Sequence, residues 1–217
     1  MGGRTPGTLG MDTVVAGGDL QANDLPSTAG YERPGPLGID SPVPLAVTRI
    51  IADVSNDWEP PNPRITPAIV VRGQTLADVA AELNRLAEWG EGGGMLRADR
   101  IPTGTSTNLT VRLHANLVMR LPTWTAYSAA SDAAKREWDR MLERLRVHEQ
   151  RHVEIAIEEA NRLAGMLVGR EISESADLVT AANQAMNQRQ IELDTDTRSG
   201  SRPGVAYGDV SLDTTIR

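Results

Sequence analysis

From Ser131 to Gly169 apolar residues recur at helical spacing: Trp138, Met141, Leu142 and Leu145, then Ile155, Ala156, Leu163 and Leu167. Ser131 or Asp132 can cap the start, and Gly169 stops the run. The resulting helix is the longest element by far, so any sheet the chain forms must pack against it. His148 and His152 continue the same apolar line, between Leu145 and Ile155, rather than standing with Arg144 and Arg151.

Those histidines belong to His148-Glu149-Gln150-Arg151-His152, an H-E-x-x-H sequence. Four residues along an α-helix is a rotation of about 400°, so both imidazoles project from one face, one turn apart, and can hold one Zn²⁺. Glu149 then stands beside the open coordination position, where a carboxylate can take a proton from an activated water and pass it to a leaving amine. The chemistry indicated is metal-assisted hydrolysis of a carbonyl compound, most often a peptide. Chance could also produce the pattern in a helix rich in His, Glu and Arg. Against chance, two of the chain's three histidines fall at this spacing around a Glu.

Other classes of chemistry are excluded by composition. Cysteine is absent, which removes disulfides, thiolate nucleophiles and iron–sulfur clusters and leaves only His, Asp and Glu for a metal. Lys135 is the only lysine, so Schiff-base chemistry has one position at most. A formal charge of −7 over 217 residues argues against a nucleic-acid or anionic-lipid partner, and no apolar run approaches a membrane span. With no signal peptide visible either, a cytoplasmic or particle-associated location is expected over a secreted one.

Nine of thirteen prolines fall in residues 1–64, a stretch with no sustained period. It reads as an extended arm or linker, serving assembly or homo-oligomer contact, with residues 65–217 as the domain. Two patches interrupt the arm: Pro44 to Ala52 could form one strand, and Trp58 could anchor the arm on the domain. Beyond it, Ala68-Ile-Val-Val71 reads as a strand. Thr75 can cap a helix carrying Leu76, Val79, Ala80, Leu83 and Leu86 or Ala87, closed by Trp89-Gly90. Gly92-Gly-Gly94 reads as a flexible hairpin or loop, followed by strands from Met95 to Ile101 and Asn108 to Leu121. The second strand alternates: Leu109, Val111, Leu113, Ala115, Leu117 and Met119 on one face, Arg112, His114, Asn116 and Arg120 on the other. Ser173 can cap a last helix.

The stretch from Ile65 to Gly204 resembles a bacterial family of unknown function described as predicted secreted zinc-dependent proteases. The resemblance is carried by Leu121-Pro-Thr-Trp124, Trp138-Asp139, and Leu145-Arg-Val-His-Glu149 through His152. It implies a zinc metallopeptidase with His148 and His152 as ligands and Glu149 as general base. The family's distal motif resembles Tyr-Asp-x-x-Thr-x-His-Gly, where this chain reads Leu193-Asp194-Thr195-Asp196-Thr197-Arg198-Ser199-Gly200. Asp, Thr and Gly are kept, whereas Tyr and His are replaced.

A catalytic zinc takes a third protein ligand. Asp194, at the family's acidic position, is the first choice, with Asp196 its near rival and His114 a further candidate. Glu158 and Glu159 read as surface or outer-shell residues, and Arg198 or Tyr207 could face a developing oxyanion. The fold expected is α+β and zincin-like, with a small antiparallel sheet packed on the long helix. The function expected is zinc-dependent peptide hydrolysis. The alternative is a catalytically weakened structural or interaction protein, such as a subunit of an assembled particle.

Overall fold

The computed structural model describes residues 45–53, 58–59, 62–63, 69–101 and 108–216. The strands are β1 (Ala46–Asp53), β2 (Trp58–Glu59), β3 (Asn62–Pro63), β4 (Ile69–Val71), β5 (Glu91–Ile101), β6 (Asn108–Arg120) and β7 (Pro122–Trp124). The helices are α1 (Leu76–Leu83), α2 (Asp132–Leu167) and α3 (Ser175–Thr197). The architecture is α+β. Residues 1–44 and the side chain of Trp58, on which the arm reading rests, lie outside the described residues.

The main sheet runs in the order β1-β6-β5, and it is mixed rather than antiparallel as expected. Strand β5 pairs antiparallel with β6 from Glu91↔Arg120 to Ile101↔Thr110, whereas β1 joins the far side of β6 in parallel. The parallel partner comes from residues upstream of 65. Its start is held on the other side too, since Val47 N–H donates to Arg170 O at 2.8 Å and Gly169 N–H donates to Val47 O at 3.1 Å. Strands β4 and β7 form a separate parallel pair, and β2 and β3 a short antiparallel one.

The alternation in β6 decides which face meets the helix. Val111, Leu113, Ala115, Leu117 and Met119 are all buried. They pack with Val153, Ala156, Ala160, Leu163 and Leu167 of α2 and with Ala182 and Met186 of α3. Full burial of each large aliphatic side chain contributes about 1.5–3 kcal/mol. A second cluster gathers Val71, Leu76, Val79, Leu83, Trp124 and Val210 around the first half of α2, through Trp138, Met141 and Leu145. The long helix therefore serves two cores in succession.

Local sequence signals set the helix ends. The Ser131 hydroxyl accepts from Ala134 N–H at 3.2 Å at the start of α2, and Gly169 takes a φ of +71° just past its end. In α1, Thr75 and Asp78 form a reciprocal capping box. That helix stops at Leu83, short of the expected Trp89-Gly90, where Arg85 N–H and Leu86 N–H turn to the i−3 carbonyls of Glu82 and Leu83, each at 3.0 Å. Leu86, counted in its apolar stripe, is 40% exposed.

Residues after Gly200 fold back along α2 and are pinned by one buried carboxylate. Glu137 accepts from Arg140 Nε at 2.8 Å, Arg140 Nη2 at 2.7 Å and Asp213 N–H at 2.7 Å. The Arg140 hydrogen bonds hold its pKa below the ordinary 4.5, burial opposes them, and the Asp213 N–H assists. A lowered folded-state pKa means that this stabilisation is present above about pH 4.5 and is lost as pH falls through the lower folded value. Hydrogen exchange should therefore show the Asp213 amide losing protection on acidification below pH 4.5, as a step absent from Glu137→Gln.

Candidate metal centre

His148, Glu149 and His152 interrupt α2 at the seam between the two cores. Leu145 belongs to one cluster and Val153 to the other, and the three polar residues between them are 3%, 6% and 6% exposed. Buried polar groups need partners. For the two imidazoles helix α3 supplies them from Gln190 and Asp194, which are themselves one turn apart.

The geometry is a nearly equilateral triangle of lone-pair donors. His148 Nε2 and His152 Nε2 lie 3.2 Å apart, and Asp194 Oδ1 is 3.3 Å from each. His148 Nδ1 lies 3.0 Å from Tyr207 O and His152 Nδ1 meets Gln190 Oε1, so each Nδ1 faces an oxygen acceptor. Both rings must donate from Nδ1, and a neutral ring then presents a bare Nε2 to the centre. Tetrahedral zinc with bonds of about 2.0–2.1 Å places its ligand atoms about 3.3 Å apart, so the triangle matches one face of that tetrahedron. His148, His152 and Asp194 could thus hold a metal ion.

Electrostatics agree with the crowding. Asp194 is half-buried, which alone would raise its pKa, yet the two imidazoles beside it pull it far below the usual carboxylate range. Burial pulls His152 down, but the hydrogen bond and charge of Asp194 raise it overall. Glu149 is pushed up to about 7 by burial, with the two histidines drawing it down and Glu88 and Asp194 adding to the rise.

The glycines after α1 make room for Glu149. A Cβ on Gly90 would lie 2.6 Å from Glu149 Oε1, and one on Gly92 would lie 2.2 Å from the Glu149 carbonyl oxygen. Gly92 to Gly94 are part of strand β5, Gly92 and Gly94 pressed against α2 and Gly93 facing Gln190 of α3, and not the flexible hairpin or loop expected from their composition. Farther along, Asn183 of α3 covers the outer edge of β5: its Oδ1 accepts from Leu96 N–H at 3.0 Å and its Nδ2 donates to Leu96 O at 2.9 Å. A cleft of about 1390 Å³ opens over the triangle, with Glu88, Trp89, Glu149, Asp194 and Arg198 in its wall.

The other candidates stand elsewhere. Asp196 is exposed and outside the triangle, while His114 Nε2 pairs with Asp99 at 2.9 Å. Glu158 and Glu159 bind Arg189, and Arg151 and Arg162 complete that clasp between α2 and α3. Arg120 pairs with Glu91 at 3.0 Å. Of the two oxyanion candidates, Arg198 lines the cleft, whereas the Tyr207 ring lies over Arg151, 5.8 Å from the guanidinium carbon to the ring centre. Gln190, Gly90 and the Tyr207 carbonyl were missed from the sequence. Only Gln190 left a signal, its spacing of four from Asp194.

The distal segment shows what its retained residues do. Thr197 Oγ1 donates to Leu193 O at 2.7 Å and accepts from Gly200 N–H at 3.0 Å, fixing the turn that ends α3. Gly200 has a φ of +79°, and a Cβ there would lie 2.9 Å from Val210 Cγ2 and 3.3 Å from His148 Cγ. Where the family pattern has Tyr and His, Leu193 packs on the rear core and Ser199 lines the cleft.

Fold and site together define an α+β protein with three helices, a small mixed sheet and a His/His/Asp group able to take a metal. Residues 69–200 match the model of a family described as bacterial protein of unknown function (DUF922), and the chain belongs to that family. No curated protein and no solved structure matches the chain. Among the described residues, no helix is long and apolar enough to cross a membrane.

Proposed function

We propose that the chain is a zinc-dependent peptidase with a zincin-like arrangement, His148, His152 and Asp194 holding the metal and Glu149 serving as general base. The observation that carries this reading is the convergence of three lone pairs at 3.2–3.3 Å, with both imidazole Nδ1 atoms already committed to oxygen acceptors. Hydrogen bonding alone leaves that centre short of protons, whereas a cation satisfies all three groups. Three protein ligands with one position left open is the pattern of catalytic rather than structural zinc sites.

Bound zinc supplies Lewis acidity, polarising a carbonyl and lowering the pKa of water to about 7. The chain's own residues do the rest. Gln190 and the Tyr207 carbonyl hold the two rings in one tautomer and orientation. Glu149, buried beside the two histidines, would accept a proton from the attacking water at its carboxylate and return it to the departing amine. Arg198 in the cleft wall is the cation available to the carbonyl oxygen as negative charge develops.

The test is whether metal and turnover go together. The purified chain should contain close to one zinc per molecule and cleave members of a broad peptide library. A chelator should stop cleavage, and added zinc should restore it. A chain that takes up no zinc, or cleaves equally well without it, refutes the reading.

A further inference from the structure

Resting on the reading of the cleft as a peptidase site, the geometry points to Glu88 as its specificity-determining carboxylate, binding a cationic group of the peptide substrate. Glu88 lies in the connection from α1 to β5 and lines the cleft over the triangle, but it is not one of the three converging ligands. Its charged neighbours are Asp194, Glu91, Glu149, His152 and His148, and among the described residues no Arg or Lys pairs with it. The glutamates buried more deeply are already engaged, since Glu149 stands at the site, Arg140 clamps Glu137, and Arg162 and Arg189 clamp Glu159.

A half-buried carboxylate without a cation is costly, and a cation brought by a ligand relieves that cost. The surroundings suit a cation on an aliphatic stem. Leu86 and Trp89 line the same cleft, giving apolar area for the stem and an indole that can face an ammonium or guanidinium. The net charge of −7 would also draw basic peptides toward the protein.

Two groups share this chemistry, a peptide's free α-amine and a Lys or Arg side chain. A binding experiment separates them. The zinc-loaded Glu149→Gln chain, which should bind without cutting, is titrated with alanine hexapeptide amides of four kinds. One has a free amine, one is acetylated, and the others are acetylated with a single Arg or a single Glu at each position in turn.

Binding is followed by calorimetry and by tryptophan fluorescence, to which Trp89 in the cleft contributes. A cationic peptide should bind about 10-fold more tightly than the neutral acetylated one, equivalent to about 1.4 kcal/mol. Which cationic peptide wins identifies the source. Adding Glu88→Gln should reduce the preference to less than about twofold, and Glu88→Arg should turn it toward the Glu peptide. Glu88 is half-exposed in a connection, so these variants should keep the near-ultraviolet dichroism and zinc content of the parent.

Equal binding of neutral and cationic peptides, a preference that survives Glu88→Gln, or no binding of any cationic peptide overturns the assignment. The peptidase reading fails separately. If the Glu88-dependent preference holds while the zinc-loaded native chain leaves the same peptides intact, the cleft recognises cations without hydrolysing. If it cuts peptides without regard to charge, hydrolysis stands and the role of Glu88 falls.

Discussion

Replacing Glu149 with Gln should lower kcat/KM for peptide hydrolysis by about 10²-fold or more while leaving bound zinc unchanged. The substitution suits this site because Glu149 is 6% exposed and enclosed by backbone: Gly90 and Gly92 leave no room even for a methyl group. Gln fills the same volume, so neither a cavity nor a clash confounds the result. An Ala substitution would open a space beside the ligands and mix structural loss with chemical loss. What Gln lacks is a carboxylate that can accept a proton and return it. The readouts are steady-state kinetics on a peptide cut by the native chain and zinc content by atomic absorption. Unchanged turnover with zinc in place removes Glu149 from the chemistry, and lost turnover with lost zinc shows that it acts on the metal site instead.

What could be read in the sequence is what local physics determines. Helix α2 was legible from cap to stop because its caps are side chains adjacent in sequence and its apolar stripe is a property of one segment. His148 and His152 were legible for the same reason, since spacing along one helix fixes their common face. Asp194 came through the family resemblance and through its place beside a last helix able to turn back to the site. Its meeting with the histidines depends on how α3 folds back over α2, which no local pattern states. Gln190 was available in principle, for residues 190 and 194 share a helix face just as 148 and 152 do.

The misreadings share a tertiary cause. Gly92 to Gly94 look like a loop because glycine favours none of the regular structures, but here the close approach of α2 to β5 requires residues without side chains. The expected antiparallel sheet became mixed because β1 pairs with a strand that begins at Asn108, far away in sequence. A parallel pair of this kind leaves no turn signature between its strands. Glu88, in a connection of no regular pattern, carried no signal at all and became visible only once its neighbours were known.

Replacing Asp194 with Ala should weaken zinc binding by more than about 100-fold, exceeding the 10–100-fold typical when an outer-shell partner such as Gln190 is lost. The triangle explains the difference: Asp194 Oδ1 stands 3.3 Å from both Nε2 atoms, whereas Gln190 only orients one ring. Folding should survive the change. The turn after α3 uses the Asp194 carbonyl, which accepts from Ser199 N–H at 2.7 Å, and that backbone bond does not need the carboxylate. The loss can be read as stability as well as affinity. Zinc at 1,000 times its Kd should stabilise the native chain by about 4 kcal/mol, and at the same concentration a 100-fold weaker site should gain only about 1.4 kcal/mol. Chelator competition gives the affinities, and thermal unfolding with and without zinc gives the stabilities. Asp196→Ala is the control, since that residue is exposed and outside the triangle, and it should match the native chain in both. If Asp194→Ala instead binds zinc as the native chain does, the third ligand is not this carboxylate, and the convergence of the two helices on one ion is refuted with it.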